Sequence, residues 1–197
     1  MKNYHSDSRG VIALPANEYF DDECVSDTHS ALGAFVQRRL GGDVEDFVRR
    51  IRAGLRGIPA QRAVRAEHRI EESYGIGTTI FLGDPDPGDR LILVSATTER
   101  AGIGLRAEPH FLYAALEGII EKMNEHRLSS LTMPVLGSGH GGMPLTIAIL
   151  FNLLALRSIV AEDLGRHLRE ACLVIFEGDA ENLPGSTIEQ IVSRLTS

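Results

Sequence analysis

The sequence has little of what a secreted or membrane-spanning chain needs. Its first ten residues, MKNYHSDSRG, are polar and contain no apolar stretch of the kind a signal peptide requires. No apolar run is long enough to cross a bilayer. The best of them, residues 143–160, is broken by Pro144, Asn152 and Arg157 and reads as a buried helix. Only two cysteines occur, Cys24 and Cys172, far apart, in apolar surroundings and without metal-ligand spacing. That excludes a disulfide framework and a zinc site and makes a reducing cytoplasm the expected location. Positive charge is outnumbered, with 20 Lys and Arg against 27 Asp and Glu. The net charge of −7 argues against nucleic acid as the main partner. Repeats and low-complexity segments are missing. What remains is 43% hydrophobic and 24% charged over 197 residues, which suits one domain spanning 1–197 with a full core. The first strand signal comes at Val11, as in a domain trimmed near its boundary, so the natural protein is expected to extend further upstream.

What is present is an alternation of strand and helix signals. Residues 10–16 (GVIALPA) read as a buried strand, followed by a polar, acidic loop over 17–28. Ser30 can cap a helix running through Leu32, Phe35, Val36 and Leu40, which Gly41 and Gly42 stop. A second helix is expected over 44–55, with Phe47, Val48 and Ile51 on one face. Residues 57–69 are Arg-rich and weakly patterned. Two strands at 77–82 and 90–96 flank GDPDPGD, a strong turn signal, and read as a hairpin. An amphipathic helix follows over 108–127, with Pro109 in its first turn. Then come a strand at 131–136, a glycine loop, an apolar helix from 144 to about 168, and a last interior strand at 172–176. A loop over 177–184 and a helix over 186–195 close the chain. Apolar strands alternating with helices imply a mostly parallel sheet covered on both faces, and the hairpin makes it mixed.

The strongest chemical signal is VLGSGHGGMP at 135–144, joining the end of a buried strand to the start of a helix. Ligands bind at that position in open α/β sheets. Glycines let the backbone approach a ligand and turn its N–H groups inward, and the helix N-terminus adds partial positive charge. A turn would need one or two glycines and this loop has four, so an anion site is favoured over a plain chain reversal. The loop is not a Walker A motif, because no Lys-Ser or Lys-Thr follows, and its glycine spacing is a poor dinucleotide fingerprint. A second strand end, Pro15-Ala16-Asn17, pairs with a helix start at Ser30-Ala31-Leu32-Gly33. Two such termini converging would clamp a diphosphate. Asn17 could offer its amide to a sugar hydroxyl or simply shape a turn. His140 could meet a phosphate or the far end of a ligand, or be structural. Asp21, Asp22, Glu23 and Asp27 could hold a metal or an imidazolium-like group, although a solvated acidic loop is the simpler reading. Arg38, Arg39, Arg49, Arg50, Arg52 and Arg56 read as a solvated face or a subunit contact. Cys24 reads as core, and no Cys–His–Asp spacing marks a nucleophile.

The segments ALPAN at 13–17, SALGAF at 30–35 and PVLGSGHGG at 134–142 resemble the ligand loops of macro domains. The resemblance covers 11 to about 176 and is closest to the macro domain of Thoeris anti-phage effectors. Its further carriers are NEYFDD at 17–22, YGIGTTIFL at 74–82 and LILVSAT at 91–97. It implies a three-layer α/β/α fold with a mixed, mostly parallel central sheet. It also implies no metal and no cofactor, and a ligand that is ADP-ribose or a derivative made from NAD by a partner TIR-domain enzyme. In one effector type that ligand is a histidine adduct. By the same resemblance Asn17 would lie near the distal ribose. Ser30, Leu32 and Gly33 would line the diphosphate, and Gly137, Ser138, Gly139, His140 and Gly141 would wrap its other side. Phe176 would stack on the adenosine half, with Asp7 or Asp179 as candidate partner of the adenine amino group. The implied role is a receptor that acts by assembly, as a homo-oligomer with an effector or membrane segment outside this chain. The rivals are an ADP-ribosyl hydrolase and a plain interaction domain. The hydrolase reading is weakened because the first loop lacks a Gly-Gly pair to place the distal ribose and a water.

Overall fold

In a computed structural model, residues 10–65, 69–83, 90–100, 103–181 and 183 are described. The organising element is β1 (Gly10–Asn17), whose alternating side chains feed two cores. Val11 and Ala13 enter one, Leu14 and Ala16 the other. A short ribbon of β2 (Gln61–Val64) and β3 (Ile70–Ser73) stands apart as an antiparallel pair. The main sheet adds β4 (Thr79–Leu82), β5 (Leu91–Arg100), β6 (Gly104–Arg106), β7 (Ser130–Pro134) and β8 (Glu170–Val174). Its order is β4-β5-β1-β7-β8, with β6 paired to β5. Strands β5, β1, β7 and β8 run parallel, while β4 and β6 run antiparallel to β5.

Helices cover both faces, giving the expected three-layer arrangement. On one side α1 (Asp22–Ser26), α2 (Ala31–Arg39) and α3 (Val44–Gly54) pack Val25, Leu32, Val36, Phe47 and Ile51 over Leu14, Leu91 and Leu93. On the other, α4 (Pro109–Glu125) buries Leu112, Ala115, Leu116, Ile119, Ile120 and Met123, an i, i+3, i+4 stripe. Ala155, Leu156 and Ile159 of α5 (Leu145–Ala161) join that layer. The same helix contributes Ala148 and Ile149 to a smaller cluster with Val135. A last short helix, α6 (Glu177–Ala180), follows β8.

Several boundaries differ from expectation, each for a local reason. The segment read as an acidic loop contains α1, because the Asp21 side chain caps it and Asp22 and Glu23 fill its first turn, where the helix dipole favours acid. The ribbon is not legible in the sequence, because β2 is mostly exposed and shows no apolar alternation. The long apolar helix stops at Ala161 rather than near 168, and Asp163 takes a left-handed φ of 58° just beyond. β7 and β8 end earlier than expected, and β8 leaves Phe176 beyond its edge. Residues 177–180 form a helical turn rather than a loop. Cys172 is exposed, not enclosed by apolar neighbours. The 84–89 turn, the closing helix at 186–195 and Asp7 lie outside the described residues. No helix among the described residues is long and apolar enough to cross a membrane.

Candidate functional site

Four parallel strands end on one edge of the sheet, and a cleft of about 640 Å³ opens there. Thr97 and Glu99 reach it from β5, Asn17 from β1, Pro134 from β7 and Val174 from β8. β1 is the switch point, because the chain builds β5 on one side of it and β7 on the other. One wall is drawn from the segment between Asn17 and Ala34, the other from the glycine loop that begins at Gly137.

The first wall is held by side chains. β1 ends in a register shift between Ala16 and Asn17. The Asn17 side chain is only 3% exposed. Its Oδ1 accepts from the Tyr19 N–H at 3.0 Å, its Nδ2 donates to Asp21 Oδ2 at 2.9 Å, and its backbone N–H donates to Cys24 Sγ at 3.4 Å. The other Asp21 oxygen accepts from the Cys24 N–H at 3.0 Å and so starts α1. Burial raises the Asp21 pKa, but hydrogen bonds from Asn17 and Cys24 and the charge of Arg65 outweigh it and leave it below the usual carboxylate range. Ser30 caps α2, with its Oγ accepting from the Gly33 N–H at 2.9 Å and donating to the Cys24 carbonyl at 3.1 Å. A Cβ on Gly33 would stand 2.1 Å from the Asp27 carbonyl, so glycine there lets the α1–α2 turn close on the helix. Ser30 therefore reaches the cleft, whereas Leu32 is core and neither it nor Gly33 lines the cleft; Ala31 and Ala34 do.

The second wall is held by backbone. Gly137 takes φ +90° and accepts from the Met143 N–H at 3.0 Å, while the Gly141 carbonyl accepts from Ala107 at 3.0 Å. A Cβ on Gly141 would come within 2.6 Å of the Gly137 carbonyl and 2.7 Å of Ala107. Gly139 is different: a Cβ there meets nothing within 4 Å, and the residue lines the cleft. The base of the loop is pinned by Asn152, fully buried on α5. Its Nδ2 donates to the Leu136 carbonyl at 3.0 Å and to Ala148 at 2.7 Å, and its Oδ1 accepts from the Leu136 N–H at 3.3 Å. In the sequence Asn152 shows only as a break in an apolar helix, and that break is its one available signal.

One close side-chain contact joins the walls: His140 Nε2 lies 2.9 Å from Asp27 Oδ2, an ion pair when the imidazole is protonated. The Asp27 carboxyl is held below its ordinary range, first by the His29 N–H and also by the His140 charge. At the foot of the first wall, and itself lining the cleft, sits Arg65, 4% exposed at its side chain, paired with Asp21 and Glu99 at 2.6 Å and with Glu71 at 2.9 Å. Asp21 is thus a partner of Arg65 rather than part of a solvated loop, and among the described residues no group of three or more His, Cys, Asp or Glu is placed to hold a metal. Burial, reinforced by the Asp21 charge, pushes the Cys24 thiol far up and so disfavours the thiolate. Of the arginine run, Arg49 pairs with Asp46 and Arg52 with Asp22 on the surface, but Arg38 lines the cleft, which its place in a charged run conceals. Phe176 also lines the cleft, 69% exposed beyond β8, beside Asp179 of α6.

A three-layer mixed sheet of this order is a macrodomain fold. The Oceanobacillus iheyensis macrodomain with MES bound superposes with a TM-score of 0.60 at 14% identity, covering 96% of this chain and 88% of that one. The same macrodomain with ADP gives 0.59 at 14% identity, covering 96% and 87%. The sequence itself matches the family described as Thoeris protein ThsA, Macro domain, over residues 5–175, and the chain belongs to that family. No curated protein matches the chain.

Proposed function

We propose that the cleft binds an ADP-ribose-type dinucleotide, ADP-ribose or a base or histidine adduct made by a TIR-domain enzyme, as the sensor of an anti-phage defence effector. The observation that carries this reading is the facing pair of loops. Each leaves the end of a parallel strand for a helix start, and both line one cleft. A diphosphate between them meets backbone N–H groups and helix N-termini rather than lysines, with Arg38 as a side-chain cation. That a macrodomain of the same fold has been solved with ADP supports a nucleotide as the ligand class.

In this reading Gly137 to Gly141 and the start of α2 hold the diphosphate, and Ser30 acts through its cap. Phe176 stacks on adenine, Asp179 accepts from its amino group, and Asn17 meets the distal ribose. Leu32 and Gly33 support the wall from behind. The domain acts as a binder, in the cytoplasm, and its ligand biases assembly of a homo-oligomer. A ligand shifts only equilibria whose states it binds differently. The test is calorimetry with ADP-ribose, ADP and adducts of ADP-ribose, run beside incubation with ADP-ribosylated protein. Saturable binding without release of ADP-ribose is expected. No binding of any of these at millimolar concentration sinks the dinucleotide reading, and steady release that depends on the glycine loop moves the protein to the hydrolases.

A further inference from the structure

Arg65 does not belong to the main sheet. It follows β2 on the separate ribbon, and yet its side chain is one of the most enclosed charges in the molecule. Its guanidinium donates through Nε to Glu99 Oε2 at 2.6 Å, and through Nη1 to Asp21 Oδ2 at 2.6 Å and Glu71 Oε2 at 2.9 Å. Nη2 lies 3.6 Å from Glu23, and the plane covers the Tyr19 ring at 4.5 Å. Burial pulls its pKa down, but bonds to Glu71, Glu99 and Asp21 outweigh that and leave it raised, so the charge is permanent. The ribbon has a second tether: Glu18 accepts from Ser73 at 2.9 Å and from Thr98, and its carbonyl accepts from the Tyr74 N–H at 2.9 Å. The ribbon is thus tethered at two points, and the contacts of Arg65 reach beyond it to Glu99 of β5 and Asp21 of the first wall.

The decisive contact is the shared oxygen. Asp21 Oδ2 takes both the Arg65 Nη1 donor and the Asn17 Nδ2 donor. An asparagine amide has a donor end and an acceptor end, and which faces which way follows from its partners. Tyr19 N–H fixes the Asn17 oxygen, and Asp21 fixes its nitrogen. Without Arg65, Asp21 would lose its principal counter-charge and its tie to the ribbon, and the Asn17 amide would lose one of its two anchors. We infer that Arg65 is a positioning residue for the distal end of the cleft, acting through Asp21 to orient the Asn17 amide toward the sugar beyond the second phosphate. The inference rests on the dinucleotide reading above and assigns one part of that ligand to one relay: Arg65, Asp21, Asn17.

ADP and ADP-ribose separate this role from a general structural one, because ADP lacks the distal ribose. Arg65→Lys keeps the charge but loses the fork geometry that holds several carboxylates at once. Arg65→Met and Asp21→Asn remove one half of the Arg65–Asp21 pair each. The wild-type protein and each variant are titrated with both ligands, with and without Asn17→Ala. The expected result is a loss of about tenfold for ADP-ribose, the scale of one misplaced hydrogen bond, with ADP affinity unchanged. In the Asn17→Ala background, Arg65→Lys should then have no further effect, since residues of one relay are not additive. The ratio of the two affinities cancels any loss of folded protein, so an unstable variant remains informative. Equal weakening of both ligands, or additivity with Asn17→Ala, overturns the relay while leaving the dinucleotide reading intact. Wild-type protein that binds neither ligand overturns both.

Discussion

The two walls of the cleft are built from different materials. The wall that begins at Asn17 is a lattice of side chains, with Asn17, Asp21, Cys24 and Ser30 bonding one another and the adjacent backbone, and Arg65 fixed at its foot. The wall from Gly137 to Gly142 has almost no side chain to use. Its shape comes from positive φ at Gly137 and Gly142 and from carbonyls that take N–H donors of the loop and of Ala107. A backbone wall can lie close to a polyanion, and its donors cannot turn away. A side-chain wall can be selective, because each donor or acceptor is placed by a partner that can be changed. The first suits a diphosphate common to many nucleotides, the second the part of the ligand that distinguishes one from another.

The sharpest way to break this division is to put a side chain into the backbone wall. Gly139→Glu is expected to leave the fold intact, because a Cβ there meets nothing within 4 Å and its φ is not in the left-handed region. Its carboxylate would stand in the cleft against the diphosphate, and dinucleotide affinity should fall at least about a hundredfold, as like-charge juxtaposition costs several kcal/mol. Calorimetry with circular dichroism as the fold control checks it, and unchanged affinity in a folded variant would remove the glycine loop from the site. Gly141→Ala makes the opposite control. Its Cβ would clash with the Gly137 carbonyl and Ala107, so lost stability should accompany lost binding.

Next in size is the pin beneath that wall. Asn152→Leu removes both side-chain bonds to Leu136 and takes a partner from its buried N–H and its carbonyl. A destabilisation of about 1–3 kcal/mol is expected, seen as a lower midpoint in chemical denaturation, with weaker binding because the loop base is released. Asp21 tests the other wall by acid. Its folded carboxyl titrates below the unfolded one, so the unfolded chain binds the proton first as pH falls. The stabilisation is fully present above about pH 4 and is lost as pH drops through the depressed folded value. Asp21→Asn should flatten that part of the stability profile. An identical acid limb in the variant would mean that Asp21 is not the group that ties α1 to Asn17.

The same division decides what can be read from the sequence. A backbone wall is local: its glycines sit side by side between a strand and a helix, and their number and place in the chain are enough to announce an anion site. The sheet is legible for the same reason, since β1 and β5 are continuous apolar runs and α4 carries an apolar stripe at helical spacing, all over neighbouring residues. A side-chain wall is assembled from afar. Arg65 lies 44 residues from Asp21 and 34 from Glu99. In the sequence it is one arginine in a weakly patterned stretch, on strands too exposed to alternate. Asp21 and Asp22 read alike as acid, although one is buried against Arg65 and the other pairs with Arg52 on the surface. Ser30 is recognisable as a cap, but nothing in the sequence shows that Gly33 serves that cap and the close α1–α2 turn, because its reason is the Asp27 carbonyl that it must admit.

The smallest expected effect lies where the walls meet. The His140–Asp27 pair is the one described ion pair that joins the two loops, and both partners are more than a third exposed. Exposed pairs contribute about 0–1 kcal/mol and are screened by salt, so Asp27→Asn or His140→Gln should barely move the melting temperature. The effect on binding should be different in kind. Asp27 is a carboxylate on the wall of a cleft proposed to take a diphosphate, and it holds His140 from the far side. Asn in its place removes a like charge and leaves the His140 ring for the ligand. Asp27→Asn is therefore expected to tighten ADP affinity by about two- to threefold at low salt, an exposed-charge effect, whereas His140→Gln should weaken it by a similar factor. Both differences should shrink as salt is raised from about 50 to 500 mM, because salt screens exposed charges. If Asp27→Asn instead lowers the affinity with no salt dependence, the pair is part of the scaffold that shapes the first wall, and the two walls are one structural unit rather than two.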